Sequence, residues 1–290
     1  MGAPMACHLA RAGYVVTAWN RTAAKAFALE SEGVLASDEP GKAVQDADAV
    51  ITMLTDGVAV GEVLFDLDCA KAAPRDTLFI DSSSIAPALA REHADRLLAL
   101  GHSSIDAPVS GGESGARAAR LAIMAGGGTA TFERALPVLS NLGRVTRVGP
   151  SGTGQLAKLA NQAIVGITIA AVSEALLLTA AGGADPAAFR DAVSGGFASS
   201  RVLDEHGKRM LERDFVPGGR SSVHLKDMDN ILAAAAEFGV DLPLCREVRA
   251  QFAALTNDME RGDCDHSALL LWLESINAPH RVGTSSDQVA

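Results

Sequence analysis

Gly149-Pro150-Ser151-Gly152-Thr153-Gly154-Gln155-Leu156-Ala157-Lys158-Leu159-Ala160-Asn161-Gln162 is where this sequence changes character. Before it, short apolar runs alternate with helix-like segments. After it, no strand pattern is found. The glycine-rich opening reads as a hinge, and 155–181 as a single helix, roughly 40 Å long at 1.5 Å per residue. The division predicts an α/β domain over 1–150, a helical domain over 151–277 and a polar, frayed tail over 278–290.

Working upstream, residues 2–12 form a helix pattern, with Met5 and Leu9 on one face and Gly13 as its stop. Strand patterns follow at 14–20, 49–54, 78–81, 104–109, 121–125 and 145–148. Helix patterns lie at 22–31, with Thr22 at the N-cap, and at 85–100, with Pro87 in the first turn. Strands alternating with helices predict a mostly parallel sheet covered on both faces. Downstream, shorter helices are predicted near 185–194, 199–212, 221–238, 243–261 and 265–276.

The whole chain of 290 residues suits two ordinary domains; it is 48% hydrophobic and 21% charged, with 28 glycines and 11 prolines. This composition excludes collagen, coiled coil and disordered tail. A formal charge of -10 and an aromatic share of 4% argue against nucleic-acid binding, which needs a basic footprint and stacking platforms. Cys7, Cys69, Cys245 and Cys264 are scattered, form no CxxC pair, and read as reduced thiols of a cytoplasmic protein. No His cluster completes a zinc site, so no metal is expected. The chain shows no basic-then-apolar leader pattern. The apolar run over 163–181 is long enough to span a bilayer, yet it holds Ser173 and Glu174 and starts just after Lys158. A buried helix is the better reading.

Several segments carry chemistry. Gly2 stands directly before a helix, where the last glycine of a dinucleotide fingerprint belongs; the first strand and the phosphate-contacting glycines would then lie upstream of residue 1. About 20 residues on, Asn20-Arg21-Thr22 occupies the ribose-reading position. A carboxylate there would repel a 2′-phosphate, whereas a guanidinium binds one, so NADP(H) is favoured over NAD(H). The alternative is a strand end with a surface arginine. Met53-Leu54-Thr55-Asp56-Gly57 and Asp81-Ser82-Ser83-Ser84-Ile85 follow strands, where a cofactor crevice is lined; helix capping is their other use. Ser110-Gly111-Gly112 is a turn suited to a substrate carboxylate, or simply a tight turn. Lys158, Asn161 and Gln162 are spaced i, i+3, i+4 and project from one side of the long helix. A lysine at the mouth of an apolar helix loses hydration, which favours the neutral amine and proton transfer; a snorkelling lysine is the alternative. In His224-Leu225-Lys226-Asp227, the lysine is either a cofactor contact or half of a solvated ion pair. His266 reads as a helix-start residue.

Taken together, GAPMACHLARAGYVVTAWNRT (2–22), DAPVSGGESGARAARLAIMAGG (106–127), GTGQLAKLANQ (152–162) and HLKD (224–227) resemble the β-hydroxyacid dehydrogenase family in the right order. The resemblance covers 2–276. It implies a Rossmann-type doubly wound domain followed by an all-helical domain, with NADP(H) or NAD(H) as cofactor and a small carboxylate substrate. It further implies Lys158 as general acid/base and Asn161 as its partner. Ser110, Gly111, Gly112 and Gln162 would contact substrate. Gly2, Asn20, Arg21, Thr22, Leu54, Thr55, Ser84 and Lys226 would contact cofactor. The stretches RDFVPGGRSSVHLKD (213–227) and DHSALLLWLE (265–274) are most similar to the branch acting on tartronate semialdehyde; L-threonate and 3-hydroxyisobutyrate are the near alternatives.

Two departures from the family stand out. Ser84 replaces a common Thr and keeps the hydroxyl. The family's opening strand and GxGxxG are not represented. That departure keeps open a second reading, a non-catalytic dehydrogenase-like oligomeric module. The apolar long helix also predicts a homo-dimer or homo-tetramer.

Overall fold

The structure is a computed structural model describing residues 1–289. By compactness the chain divides into Met1–Lys158 and Leu159–Ala290.

The first unit holds eight strands: β1 (Thr17–Trp19), β2 (Leu35–Ser37), β3 (Ala49–Thr52), β4 (Leu78–Asp81), β5 (Ser103–Asp106), β6 (Val109–Ser110), β7 (Leu121–Gly126) and β8 (Gly143–Gly149). They form two sheets. β1 and β2 pair in parallel, while the larger sheet runs β3-β4-β5-β7-β6 with β8 on β7. No ladder joins β1 to β3.

β4 shows why the sheet is covered on both faces. Leu78 and Ile80 enter one apolar cluster with Met5, Leu9 and Ile105. Phe79 enters another with Val60, Leu64 and Leu97. Successive side chains point to opposite faces, so an all-apolar strand needs two cores. Each of these side chains contributes roughly 1.5–3 kcal/mol on full burial.

Several expectations are corrected. The sheet is mixed, because β5 and β6 both pair antiparallel with β7. The strand expected over 104–109 is two strands separated at Ala107-Pro108, where proline has no N–H for the ladder. The helix expected over 22–31 is Ala23–Phe27 followed by a 3-10 turn, Glu30–Glu32. Helix Thr129–Leu139 and strand β2 were not anticipated.

The long helix spans Thr153–Ala181. It is long and apolar enough to cross a membrane by length and composition alone. Leu159, Ile169, Val172 and Leu176 instead sit in the apolar cluster of the second unit, with Met210 and Phe252. That is the pattern of a core helix. Five further α-helices follow: Pro186–Val193, Arg201–Glu212, Ser221–Glu237, Pro243–Ala253 and Leu269–Ile276. The helix expected over 243–261 ends at Ala253 and passes into a π turn, Ala254–Asp258.

Through residue 289 the tail is tied to the helical unit rather than frayed. Val282 is buried at 1% exposure, and Phe215 N and Gln288 N exchange backbone bonds with Gln288 O and Arg213 O. The cause is Arg213, whose side chain is fully buried and requires acceptors. Glu274 takes its Nη1 and Nη2 at 2.6 and 2.8 Å, and Asp287 in the tail takes its Nε at 2.7 Å.

The four cysteines are buried free thiols.

Candidate active site

β3 and β4 run in parallel with Thr52 opposite Asp81, so their following loops leave the same edge of the sheet. Asp81 Oδ1 accepts from Thr52 Oγ1 at 2.8 Å and from Ser83 N at 3.0 Å. Ser83 Oγ then accepts from Leu54 N at 2.9 Å. This chain of bonds holds Leu54 and Thr55 beside Ser82, Ser83 and Ser84. Asp56 caps helix Gly57–Gly61 through Ala59 N at 2.9 Å, leaving Thr55 exposed at the loop tip. Capping is thus met by Asp56, but not by the serine loop, since helix Pro87–Ala99 starts after Ala86 with no side-chain cap.

The start of the long helix is fixed to the same strand ends. Asp106, the last residue of β5, accepts from Gly152 N at 2.7 Å and Gln155 N at 2.9 Å. A carboxylate suits a helix N-terminus because unpaired amides and the helix dipole meet it there. Gln155 is fully buried; its Oε1 accepts from Ile85 N at 3.1 Å and its Nε2 donates to Ser83 O at 2.8 Å. The helix thereby carries a clamp on the serine loop. The fit is close at Gly154, where a Cβ would lie 2.5 Å from both Asp106 O and Met124 O. Lys158 follows Gln155 by three residues, about one turn further along, and is half-buried.

Burial pushes the Asp106 carboxyl up to about 6, against the pull of its two backbone amides and with help from the neighbouring Asp81 charge. A raised carboxyl stabilises the fold fully below the ordinary carboxylate range, and that contribution is lost as pH rises through about 6. Asp106→Asn is expected to flatten the stability profile between acid and neutral pH, a span worth about 3 kcal/mol. Urea unfolding across that range checks this; parallel profiles for the two proteins would contradict it.

Ser110-Gly111-Gly112 opens helix Gly112–Arg117, with φ of 133° at Gly111 and 63° at Gly112. Both values lie where side chains are strained, so the glycines are what allow the turn. Ser110 itself is fixed by antiparallel pairing with Ala122.

At the amino-terminal end, helix Gly2–Arg11 has no side-chain cap and no acidic residue in its first turn. A Cβ on Gly2 would lie 3.7 Å from Met53 Cβ, so the helix begins beside the loop after β3. Asn20 Oδ1 accepts from Thr22 N at 2.9 Å, forming a turn at the end of β1 with Arg21 exposed at its tip. An uncapped helix start and strand-end loops fit a nicotinamide dinucleotide.

The remaining candidates lie in the second unit. Asn161 Nδ2 donates to Gln162 Oε1 at 2.9 Å, and Gln162 Nε2 donates to Asp227 Oδ2 at 2.7 Å. Asp227 Oδ1 lies 3.3 Å from Lys226 Nζ. Asp227 is buried at 2% exposure, so the Lys226 pair is not the solvated one considered from sequence. Sequence reasoning missed Asp106, Gln155 and Asp227. All three lie within the quoted motifs, but their partners are remote in the chain or on another helix.

Residues 1–149 match the family described as the NAD binding domain of 6-phosphogluconate dehydrogenase. Residues 152–273 match the one described as the NAD-binding domain of NADP-dependent 3-hydroxyisobutyrate dehydrogenase. The chain is 41% identical over 289 residues to the 2-hydroxy-3-oxopropionate reductase of Escherichia coli K12, covering 97% of this chain and 96% of the relative. This chain belongs to the β-hydroxyacid dehydrogenase family. A probable 3-hydroxyisobutyrate dehydrogenase-like protein of Arabidopsis thaliana is 37% identical, covering 96% of this chain and 83% of its own. The solved structure of Mycobacterium tuberculosis 3-hydroxyisobutyrate dehydrogenase with L-serine is 32% identical, covers 94% of this chain and 95% of its own, and superposes with a TM-score of 0.85. Family membership makes the chain an NAD(P)-dependent dehydrogenase/reductase of small hydroxy acids.

Proposed function

We propose that this member of the family transfers hydride reversibly between NADP(H) and a short 2- or 3-hydroxy acid, with Lys158 as general acid/base. Tartronate semialdehyde, reduced to glycerate, is the leading substrate; L-threonate and 3-hydroxyisobutyrate come next. The observation that carries the reading is the anchoring of the Lys158 helix to Asp106 and, through Gln155, to the serine loop. The 41% identity to a reductase named for 2-hydroxy-3-oxopropionate supports the substrate.

When bound, the reduced nicotinamide supplies the hydride. Lys158 Nζ gives its proton to the oxygen of the forming alkoxide, so that aldehyde, hydride and proton together make the alcohol. In the reverse direction the neutral amine takes the proton back. Its ammonium form also stabilises negative charge on that oxygen. Asn161 positions the lysine, while Ser110, Gly111 and Gly112 grip the substrate carboxylate and Gln162 completes its contacts. On the cofactor side, Gly2 and the uncapped helix start serve the pyrophosphate. Asn20, Arg21 and Thr22 serve the adenosine ribose and its phosphate, and Leu54, Thr55, Ser84 and Lys226 the rest.

Steady-state rates with the three substrate pairs, each with NADPH and NADH, test the assignment. The expected order places tartronate semialdehyde with NADPH first. No turnover with any pair would overturn the reading. Arg21→Ala is expected to weaken NADPH by about 10- to 100-fold, the worth of a charge-assisted contact, with little change for NADH. Equal losses for both cofactors would remove the 2′-phosphate role.

We propose self-association through the exposed stripe of Ile164 and Leu178 on the long helix, 68% and 75% exposed in the single chain. Light scattering should give a dimer or tetramer for the wild type and a monomer for Ile164→Asp/Leu178→Asp; a wild-type monomer would refute it.

A further inference from the structure

One cluster in the second unit has no part in this chemistry. His206 lies in helix Arg201–Glu212, and Asp265 caps the 3-10 turn His266–Ala268. The two Nε2 atoms of His206 and His266 face each other at 3.2 Å, with the rings crossed at 88°. One donor atom from each of His206, Asp265 and His266 lies within 4.8 Å of the others.

The other nitrogen of each ring faces a second polar group. His266 Nδ1 lies 3.4 Å from His224 Nδ1. His206 Nδ1 is buried, has no hydrogen-bond partner, and points to Asp265 Oδ1 at 3.6 Å. With a proton on each Nδ1, both Nε2 atoms carry lone pairs. In that tautomer a cation between the two lone pairs relieves their repulsion, whereas with one Nε2 protonated the same contact is a hydrogen bond. The Nε2 spacing is close to the edge of a zinc tetrahedron, about 3.3 Å for Zn–N bonds of about 2.0–2.1 Å.

Asp265 is held rigidly. Its Oδ2 accepts from Gly218 N and Gly219 N at 2.9 and 3.1 Å, and its Oδ1 from Ser267 N and Oγ at 3.0 and 2.7 Å. It therefore offers a fixed negative charge beside the imidazoles. A carboxylate behind a ligating histidine is the usual way the ring is oriented toward a metal. Arg209 Nε also lies 3.5 Å from Asp265 Oδ1 and offsets part of that charge, which points to modest affinity.

We propose that His206 Nε2 and His266 Nε2, with Asp265 orienting the His206 ring from behind, form a binding site for a zinc-class divalent transition metal whose shell water completes. Imidazole ligands select such ions over magnesium or calcium, which prefer all-oxygen shells. His206 lies 60 positions before His266 in sequence, so no spacing motif announces the site. Its place in the helical unit, held by α-helix and turn backbone, makes it a stabilising site in which metal binding adds to folding free energy.

The test uses the full chain, stripped with a chelator and then equilibrated with zinc at micromolar free concentration. Elemental analysis is expected to find about one zinc per chain, and thermal unfolding to shift upward with added metal. His206→Gln should lower the affinity at least about tenfold and abolish the thermal shift, as loss of a ligand does. Cobalt titration of the wild type covers the case in which the variant fails to fold. It is expected to show d–d absorption without the thiolate charge-transfer band that a cysteine site would give. No retained zinc, undiminished binding by a folded His206→Gln chain, or a thiolate band, Cys264 being next in sequence, would each overturn the proposal. None of these readouts depends on turnover, so failure here leaves the assigned reaction untouched.

Discussion

Lys158→Ala is expected to cut turnover by about 10³-fold while leaving NADPH affinity within about twofold, because general acid/base groups contribute roughly 10²- to 10⁴-fold. The physical basis is position. Lys158 is half-buried about a turn beyond Gln155, on a helix whose first amides are held by Asp106. The lysine therefore stands on a fixed element rather than a loose loop. Lys158→Arg separates proton transfer from charge. The guanidinium keeps the positive charge but does not give up its proton at working pH. If protonation is what Lys158 supplies, arginine should be nearly as inactive as alanine. If only charge matters, arginine should recover much of the rate. Fluorescence titration with NADPH and single-turnover kinetics read the two effects apart. A variant that binds NADPH tenfold more weakly and keeps its turnover would move Lys158 to the cofactor side.

The second large effect concerns stability. Glu274→Ala is expected to destabilise the helical unit by about 3–5 kcal/mol, since it leaves a buried guanidinium with one carboxylate removed. Arg213 is fully buried, and Glu274 takes two of its N–H groups while also accepting from Val282 N at 2.8 Å. Burial opposes the charge on Arg213, and the bonds to Glu274 and Asp287 outweigh it and hold the guanidinium protonated. Loss of Glu274 therefore also loosens the tail at Val282. Replacing both partners, as in Arg213→Met/Glu274→Leu, should recover much of the loss, because no unpaired charge remains. Denaturant midpoints of the three variants give the comparison. A loss below about 1 kcal/mol for Glu274→Ala would mean that Asp287 and water suffice for Arg213.

The legible parts of the fold were those with a strong period. β4 reads as a buried strand because Leu78-Phe79-Ile80 is apolar on both faces, and the long helix because its apolar residues persist beyond Gln155. Short edge elements carry too few residues for a period to emerge, as at Leu35–Ser37. Helix Thr129–Leu139 was hidden by Pro137 within it and by the glycines before it. The functional motifs were visible as local strings, yet their wiring was not. Asp106 reaches residues 46 and 49 positions away, and Gln155 reaches 70 and 72 back. The tail was misjudged for a related reason. Its polar composition signals fraying until a buried arginine just after helix Arg201–Glu212 requires Asp287 as an acceptor.

Chemical rescue of Lys158→Ala by added primary amines tests the central claim most directly. In the oxidising direction the account predicts turnover that rises with amine concentration and, across a series of similar size, with amine basicity. Turnover near the wild-type level without amine would contradict it, as would rates that stay at background across the whole series while NADP(H) still binds.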